Sequence, residues 1–539
     1  MYTEPPDNIV TPTTTINAQS IVVSSSKSRR IRLLFIVVIV AMVILLSAVI
    51  VILAMWANIT KCSRNDNITI SNSSTNSTTQ SQTQEIIADF IIIGGGTAGC
   101  VVSARLAQYG FQTLSLSSGS NDTLNPMMKE KSLFGQLIRN PYFKHYLPVD
   151  SSPNLNNRPM DLLVWNTLGG NSINGGGIRR LLTDEWNYFI NATGDPSFHI
   201  ETMSKYYKLV ENYTSTEPFS TSDIYGKNGF LKITHAYDSV FNNIWKNVAS
   251  ELDEAFTDEL FDTINYGFSF ETSSFTNGIR ILTDATALKF NLNEQTKQIE
   301  SVFFISQDGL FNGIARKEYI LSAGTFFSPH LLMLSGIGDR NILQENQIPT
   351  KHELKHVGKN LMDNGVIIIQ YQIKNLTIGD SIPIAFINSQ SRTTNNNSNT
   401  FFVLKEDKNT KQWDAVIFNP SPKSTIDSIS LHSSNPLMSP KITVDYLKDP
   451  QDLNKVINAI HYIRKVMSTN TMKQYGNITE LLPGSKETDL STYIRNTLFP
   501  SSHFTSTCSI GRAAEDSVVD SHFKVHGISN LRVVDASVF

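Results

Sequence analysis

Three glycines, Gly94, Gly96 and Gly99, follow a short apolar run with the spacing G-x-G-x-x-G. In this pattern the first glycine permits a tight turn, the second lets the backbone approach a pyrophosphate, and the third lets a helix pack closely on the preceding strand. We expect Thr97 and Ala98 to open that helix, so that its free amides and its dipole face the pyrophosphate. The spacing therefore predicts a dinucleotide site, although glycine triplets also occur by chance in loops.

The residue at the end of the second predicted strand is Ser117. Dinucleotide-binding proteins place an acidic residue here, which holds the hydroxyls of the ribose. A neutral hydroxyl can still form a hydrogen bond, but a charge-assisted bond is roughly twice as strong. Ser117 therefore predicts a weakened affinity for the nucleotide with the fold retained.

Charge and cysteine content exclude two other kinds of site. The formal charge is −3, from 45 basic and 48 acidic residues, and long basic runs that would bind nucleic acid are missing. Cys62, Cys100 and Cys508 are too widely spaced to indicate a disulfide framework or a zinc site. We therefore expect neither a nucleic-acid partner nor a metal.

The elements that must position the glycines are a strand and a helix. The run at 90–93 (Phe-Ile-Ile-Ile) is short and rich in β-branched residues, which is typical of a strand buried on both faces of a parallel sheet. The segment at 97–106 follows as the helix. A strand, a glycine turn and a helix in this order predict an α/β fold of the Rossmann type.

An apolar segment at 33–57 contains 25 consecutive positions without a charge, which is enough to cross a bilayer as a single helix. Basic residues are denser before it than after it, so the tail at 1–32 is predicted to be cytoplasmic and the rest luminal or extracellular. The alternative is a cleaved signal peptide, whose apolar core is usually shorter.

A polar, Asn/Ser/Thr-rich stretch at 58–84 is predicted to be a flexible stalk. Asn-x-Ser/Thr sequons here and beyond fit a glycoprotein, or arise by chance in an Asn-rich chain.

A second motif at 324–338 (GTFFSPHLLMLSGIG) is far more specific than the glycine spacing. It resembles the second signature of the glucose-methanol-choline (GMC) family of FAD-dependent oxidoreductases. Further segments are similar to the family in the same order along the chain, at 280–287, 357–363, 440–453 and 501–539.

The resemblance implies a Rossmann-like FAD-binding domain interleaved with an α+β substrate domain built on an antiparallel sheet. We assign residues 85–190, 270–345 and 500–539 to the FAD domain, and residues 191–269 and 346–499 mainly to the substrate domain. Strand-like segments at 366–373, 400–404 and 415–418 and an amphipathic helix at 451–467 agree with that sheet.

The resemblance also implies the site residues. His503 matches the base that takes the hydroxyl proton of an alcohol substrate in the family; for an isolated histidine, the alternative is a structural role. The residues expected to contact FAD are Gly94, Gly96, Thr97, Ala98, Gly99, Ser117, Asn174, Ala287, Asp535 and Ala536.

Four departures from the family pattern indicate that the cofactor site has degenerated. Ser117 replaces the acid, and the segment that ends at Asn174 is one residue short, with Asn166 in place of a basic residue. Asn364 stands where relatives carry a histidine. The sequence also stops at Phe539, before the loop and helix that complete the flavin site in relatives.

We therefore expect a membrane-anchored, truncated GMC-type protein that is catalytically inactive and in which FAD binding is doubtful. A partner protein is expected to cover the face left open by the truncation, and the transmembrane helix is expected to contact lipid. Two alternatives stay open, namely an active FAD-dependent alcohol or sugar oxidoreductase with His503 as the base, and a binding or structural ectodomain.

Overall fold

The structure is a computed structural model. It describes residues 83–121, 125, 127, 140–150, 152–174, 177–178, 180–181, 183–214, 225–229, 231–235, 239–253, 262–264, 278–376, 384–386, 401–407, 412–418 and 427–539. The predicted tail and transmembrane helix, and all of the predicted stalk before residue 83, lie outside these residues. Within the described ranges, none of the helices is both long enough and apolar enough to span a bilayer.

The described residues form nine α-helices and 23 strands, and the strands β8 to β12 and β14 to β20 follow one another without an intervening α-helix. The helices, α1 to α9 in chain order, are Thr97–Gln108, Thr183–Thr193, Ile200–Val210, Ser239–Leu252, Gly324–Leu334, Arg340–Glu345, Pro450–Met467, Asn470–Lys473 and Leu490–Thr497. The strands, β1 to β23 in chain order, are Gln84–Ile93, Thr113–Leu116, Lys144–Pro148, Asp161–Trp165, Gly177–Ile178, Glu211–Tyr213, Leu231–His235, Asp262–Ile264, Ile279–Leu282, Thr286–Asn293, Gln298–Ser306, Gly309–Leu321, Ile337–Gly338, His352–Glu353, Gly365–Ile373, Ile384–Phe386, Phe401–Asp407, Gln412–Phe418, Asp427–Ser430, Lys441–Val444, Ile478–Leu482, Phe499–Pro500 and Leu531–Val533.

The first large sheet has the strand order β10-β11-β12-β1-β2-β9, and β23 also pairs with β12. β1, β2, β9 and β23 are parallel to their neighbours, whereas β10 and β11 form an antiparallel extension. Ile91 and Ile92 in β1 are completely buried, as expected for a strand covered on both faces. The prediction of a buried parallel strand that leads into the glycine turn is confirmed.

The second large sheet is antiparallel, with the order β16-β17-β18-β15-β21, and β22 also pairs with β15. The helix α7 carries the apolar stripe that packs into the core, including the buried Val456, Ile460 and Ile463. Its start is set by Asp449, whose side chain accepts a hydrogen bond from the Gln451 amide at 2.8 Å. The strands and the amphipathic helix expected in this region are therefore present.

Two of the family-like segments contain a break in a strand. The segment at 280–287 forms two strands, β9 and β10, because the chain turns between them with Asp284 in the left-handed region at φ 52°. Within the segment at 501–539, the strand β23 ends at Val533, because Asp535 caps a short 3-10 helix at Ala536–Val538. Both breaks place backbone at the edge of the cavity described below.

Candidate functional site

The glycine turn brings β1 close to β12. Gly94 has a φ of 113°, and a Cβ atom added there would lie 2.1 Å from the carbonyl oxygen of Ser322. A Cβ atom on Gly99 would lie 1.9 Å from the carbonyl oxygen of Gly94, so this position also excludes any side chain. These two glycines are therefore required by the turn itself.

Gly96 has a different role, because its backbone is extended at φ −81° and ψ −169°. A Cβ atom added to Gly96 would have no heavy atom of the described residues within 4 Å. Gly96 is also the N-cap residue of α1, and no side chain at this position hydrogen-bonds to the first amides of the helix. The first turn of α1 contains no acidic residue. The backbone is thus open at the point where a helix N-terminus can receive an anion.

The open side of Gly96 faces a cavity of about 900 Å³. The structure brings most of the predicted cofactor residues together in its lining, namely Gly94, Gly96, Thr97, Ala98, Ser117, Ala287, Asp535 and Ala536. Gly99 lies behind the lining and allows α1 to pack on the turn. Asn174 ends a 3-10 helix at Gly170–Asn174 next to the lining residues Gly170 and Asn171. The lining includes residues at the end of β2 and residues that follow β23.

Ser117 lies at one end of this cavity and is buried. Its amide donates to the carbonyl of Leu282 at 2.8 Å, and its carbonyl accepts from the amide of Ala285 at 2.8 Å. These two bonds continue the sheet by one residue beyond β2 and bring 285–287 to the same end of the cavity. Ser117 and Ala287 are therefore brought to the same part of the cavity lining.

Asp535 lies at another part of the lining, between two short elements. Its carboxylate accepts hydrogen bonds from the Gly324 amide at 2.9 Å and from the Ser328 hydroxyl at 2.6 Å. It also accepts from the Ser537 amide at 2.8 Å. Asp535 therefore joins the start of α5 to the segment after β23, which sequence reasoning placed at the cofactor without this structural role.

His503 is not among the described residues that line the cavity, although its neighbours Ser502 and Phe504 are. The imidazole is exposed and stacks on Phe418, with ring centroids 6.0 Å apart and an interplanar angle of 18°. Ser502 adopts a left-handed φ of 65°, and this changes the direction of the chain between His503 and the cavity. The structure therefore places the loop of the predicted base beside the cavity, whereas the imidazole of His503 does not belong to the cavity lining.

Asp363 determines how this loop is held. Its buried carboxylate accepts hydrogen bonds from the Tyr446 hydroxyl at 2.6 Å, from the Ser501 hydroxyl at 2.6 Å and amide at 3.0 Å, and from the His503 amide at 2.8 Å. Burial raises the pKa of Asp363, and hydrogen bonds from the side chains of Ser501 and Tyr446 and from the His503 amide oppose that rise. Left-handed, non-glycine residues such as Ser502 persist only where surrounding bonds enforce them. The motif at 357–363 was noted in the sequence, but this function of its last residue was not foreseen.

Two histidines that sequence reasoning missed also line the cavity. The rings of His145 and His330 lie edge-on to Phe327, at centroid distances of 6.2 Å and 6.3 Å. Burial lowers the pKa of both imidazoles, and for His330 the pKa falls to about 4, with a further contribution from nearby His432. His145 lies in β3 and His330 in α5, and these two elements are far apart in the sequence. The sequence alone therefore gives no sign that the two histidines line one cavity.

His330 predicts an acid-sensitive stability. The folded chain keeps this imidazole neutral down to pH 4, whereas the unfolded chain binds a proton near pH 6.5, so stability falls as the pH is lowered through this interval. We expect the titration of His330 to lower the unfolding free energy by about 2 kcal/mol when the pH falls from 7.5 to 5. His330→Asn should remove this part of the loss in urea unfolding curves recorded at the two pH values.

The exposed His461 provides the control, since His461→Asn also removes one histidine from a helix. An identical loss of stability on acidification in the parent chain and in His330→Asn would contradict the prediction.

The two described cysteines are free and buried. Burial raises the pKa of the Cys100 thiol to about 12, and its sulfur donates to the carbonyl of Gly95 at 3.2 Å. Cys508 is likewise buried, which raises the pKa of its thiol. Within the described ranges, His, Cys, Asp and Glu side chains do not form groups of three that could hold a metal ion.

Comparison with known proteins connects this geometry to a family. Two sequence profiles, each described as GMC oxidoreductase, match residues 270–366 and 422–539. The chain is 25% identical to the glucose methanol choline oxidoreductase atC of Aspergillus terreus, over 83% of this chain and 88% of that protein. It is also 25% identical to a glucose dehydrogenase of Drosophila melanogaster whose name specifies FAD and quinone. This match covers 84% of this chain and 82% of that protein.

Solved structures show the same fold. Pyridoxine 4-oxidase from Mesorbium loti superposes with a TM-score of 0.72 and 19% identity, covering 84% of this chain and 94% of that one. A formate oxidase variant from Aspergillus oryzae superposes with a TM-score of 0.74 and 20% identity, covering 85% of this chain and 94% of that one. At this level of identity the likeness is one of fold.

Proposed function

We propose that the chain, which matches GMC oxidoreductase profiles at residues 270–366 and 422–539, is a protein of that type that binds FAD in the cavity beside the glycine turn but does not oxidise alcohols. The observation that carries the first part is the open backbone at Gly96, next to the N-terminus of α1. When bound, FAD would supply a flavin ring that accepts a hydride. The second part of the proposal concerns the residues of this chain that would have to accompany that transfer.

The residues in the lining match what an extended dinucleotide needs. The amides around Gly96, Thr97 and Ala98 would hold the pyrophosphate, since they combine free donors with the positive end of a helix. Ser117 and Ala287 lie at the end of the cavity suited to the adenosine half. Asp535 and Ala536 would then border the other half.

The proposed loss of alcohol oxidation rests on His503. A general base must reach the proton it removes within hydrogen-bond distance or through one water. The imidazole of His503 is exposed and stacks on Phe418, and it does not line the cavity. Asn364, where relatives carry a histidine, offers no substitute base.

One observation favours the alternative, an active FAD-dependent alcohol or sugar oxidoreductase. Ser502 and Phe504 both line the cavity, so the backbone of His503 is next to it. A rotation of the side chain away from Phe418 would alter the position of the base without refolding the loop. The experiment must therefore separate binding of the flavin from its reduction.

The full chain should be purified without added flavin and its absorption spectrum recorded. We expect a yellow protein with FAD bound, whose flavin stays oxidised when small alcohols and sugars are added without oxygen. Dithionite serves as the control that the bound flavin can be reduced. A colourless protein that also fails to take up added FAD would overturn the proposal of FAD binding.

Bleaching by an alcohol or a sugar would instead establish the alternative. In that case His503→Ala should abolish the bleaching and leave the bound flavin in place. Bleaching that persists in His503→Ala would show that another group accepts the proton.

A further inference from the structure

A wall of neutral polar side chains lies next to Ser117, at the end of the cavity suited to the adenosine half. The Ser118 hydroxyl donates to Asn166 Oδ1 at 2.9 Å. Asn166 also hydrogen-bonds with His145, and all three side chains belong to residues of the cavity lining. Ser118 follows β2, His145 lies in β3, and Asn166 directly follows β4, which pairs with β3. We refer to these three residues as the polar wall.

The backbone holds the polar wall against the end of β2. A Cβ atom on Gly119 would lie 2.3 Å from the Thr167 amide nitrogen, so the two segments approach as closely as a glycine allows. The Leu168 amide donates to the carbonyl of Ser120 at 3.1 Å, and the Asn166 amide donates to the carbonyl of Phe143 at 2.8 Å. The position of Asn166 beside Ser118 is therefore set by main-chain bonds on both sides.

We infer that Ser118, Asn166 and His145 hold the ribose hydroxyls of the adenosine half, in place of the acid that Ser117 has replaced. This inference rests on the proposed FAD binding. The amide of Asn166 has two donors and an acceptor, and the imidazole has one of each when neutral. A ribose diol needs both donors and acceptors, so this set is matched to it without a charge.

The neutrality of the polar wall follows from its surroundings. Burial lowers the pKa of His145, and the hydrogen bond with Asn166 opposes that shift. Neutral hydrogen bonds are weaker than the charge-assisted ones an acid makes, so several are needed to replace it. The wall supplies three side chains where the acid would have supplied one.

The test compares two flavins, because FMN lacks the adenosine half that FAD carries. The full chain, stripped of flavin, should be titrated with FAD and with FMN while flavin fluorescence is followed. Asn166→Ala should weaken FAD binding about tenfold, since it removes roughly one net hydrogen bond and breaks the link between the other two residues. FMN binding should be unchanged, and His145→Phe should show the same selectivity.

Asn291→Ala is the matched control, because Asn291 is outside the cavity lining and donates to Glu300 Oε2 at 3.0 Å in an exposed position. Unchanged FAD affinity in both Asn166→Ala and His145→Phe would overturn the inference and leave the proposed function standing. An equal loss for FAD and FMN would also overturn it, because the effect would not lie at the adenosine half. A parent chain that binds neither flavin would remove the proposed function and this inference together.

Discussion

Gly96→Ala is expected to weaken FAD binding about 100-fold while leaving the unfolding free energy within about 1 kcal/mol of the parent. The φ of Gly96 is −81°, which alanine adopts without strain, and the added methyl group would meet none of the described residues within 4 Å. The methyl group would instead occupy the space that a phosphate needs beside the first amides of α1. Displacing the phosphate from one or two of these charge-assisted bonds costs about 3 kcal/mol. Fluorescence titration gives the affinity, and urea unfolding gives the stability.

Gly99→Ala is the contrasting variant, because its methyl group would lie 1.9 Å from the backbone oxygen of Gly94. The turn would have to open, and we expect a loss of about 2 kcal/mol or more in unfolding free energy. The pair therefore separates a position kept for the ligand from a position kept for the fold. Equal FAD affinity in the parent and in Gly96→Ala would show that the phosphate does not bind at this turn.

Asp363→Ala is expected to cost about 4 kcal/mol of unfolding free energy, the largest effect on stability that we predict. The substitution removes the acceptor of four hydrogen bonds at once, and the donors from Tyr446, Ser501 and His503 would be left around a buried cavity. Unpaired buried donors cost about 1–3 kcal/mol each, and partial rearrangement of the loop would recover some of this. Urea unfolding of the full chain measures the change.

Asp363→Asn should lose about half as much, because the amide oxygen can still accept while the amide nitrogen faces donors. Asp339→Ala is the control for loss of an aspartate that caps one backbone amide, Asn341 N at 2.9 Å, and should cost about 1 kcal/mol. If Asp363→Ala cost no more than Asp339→Ala, the four bonds would not be what holds the Ser501–His503 loop.

Local chemistry made much of the fold predictable. The strand β1, the glycine turn and the helix α1 follow one another directly in the sequence. They could be recognised without distant contacts, because each depends on residue types within a short segment. The same holds for α7, whose apolar stripe and aspartate cap are both local features. The predicted transmembrane helix at 33–57 is of this kind too, and it stays a prediction because it lies outside the described residues.

The orientation of His503 could not be predicted in this way. The sequence places a histidine in a loop that resembles the family's catalytic loop, but the direction of its ring depends on Ser502, Phe418 and Asp363 together. Phe418 comes from β18 and Asp363 precedes β15, so neither is near His503 in sequence. A base can be named from a motif, whereas its reach depends on how three separate segments pack.

The sequence by itself determined the resemblance to a family, the buried strand β1, the glycine turn and the helix α1, because glycine spacing and hydrophobic period act over short distances. Only the tertiary structure decided which side chains share the cavity with that backbone. It brought His145, Asn166 and Ser118 into the cavity lining together with Ser117 and left His503 out of that lining. The physical reason is that side-chain proximity in a mixed sheet depends on strand pairing and on close backbone approaches, such as Gly119 against Thr167, which join residues far apart in the chain.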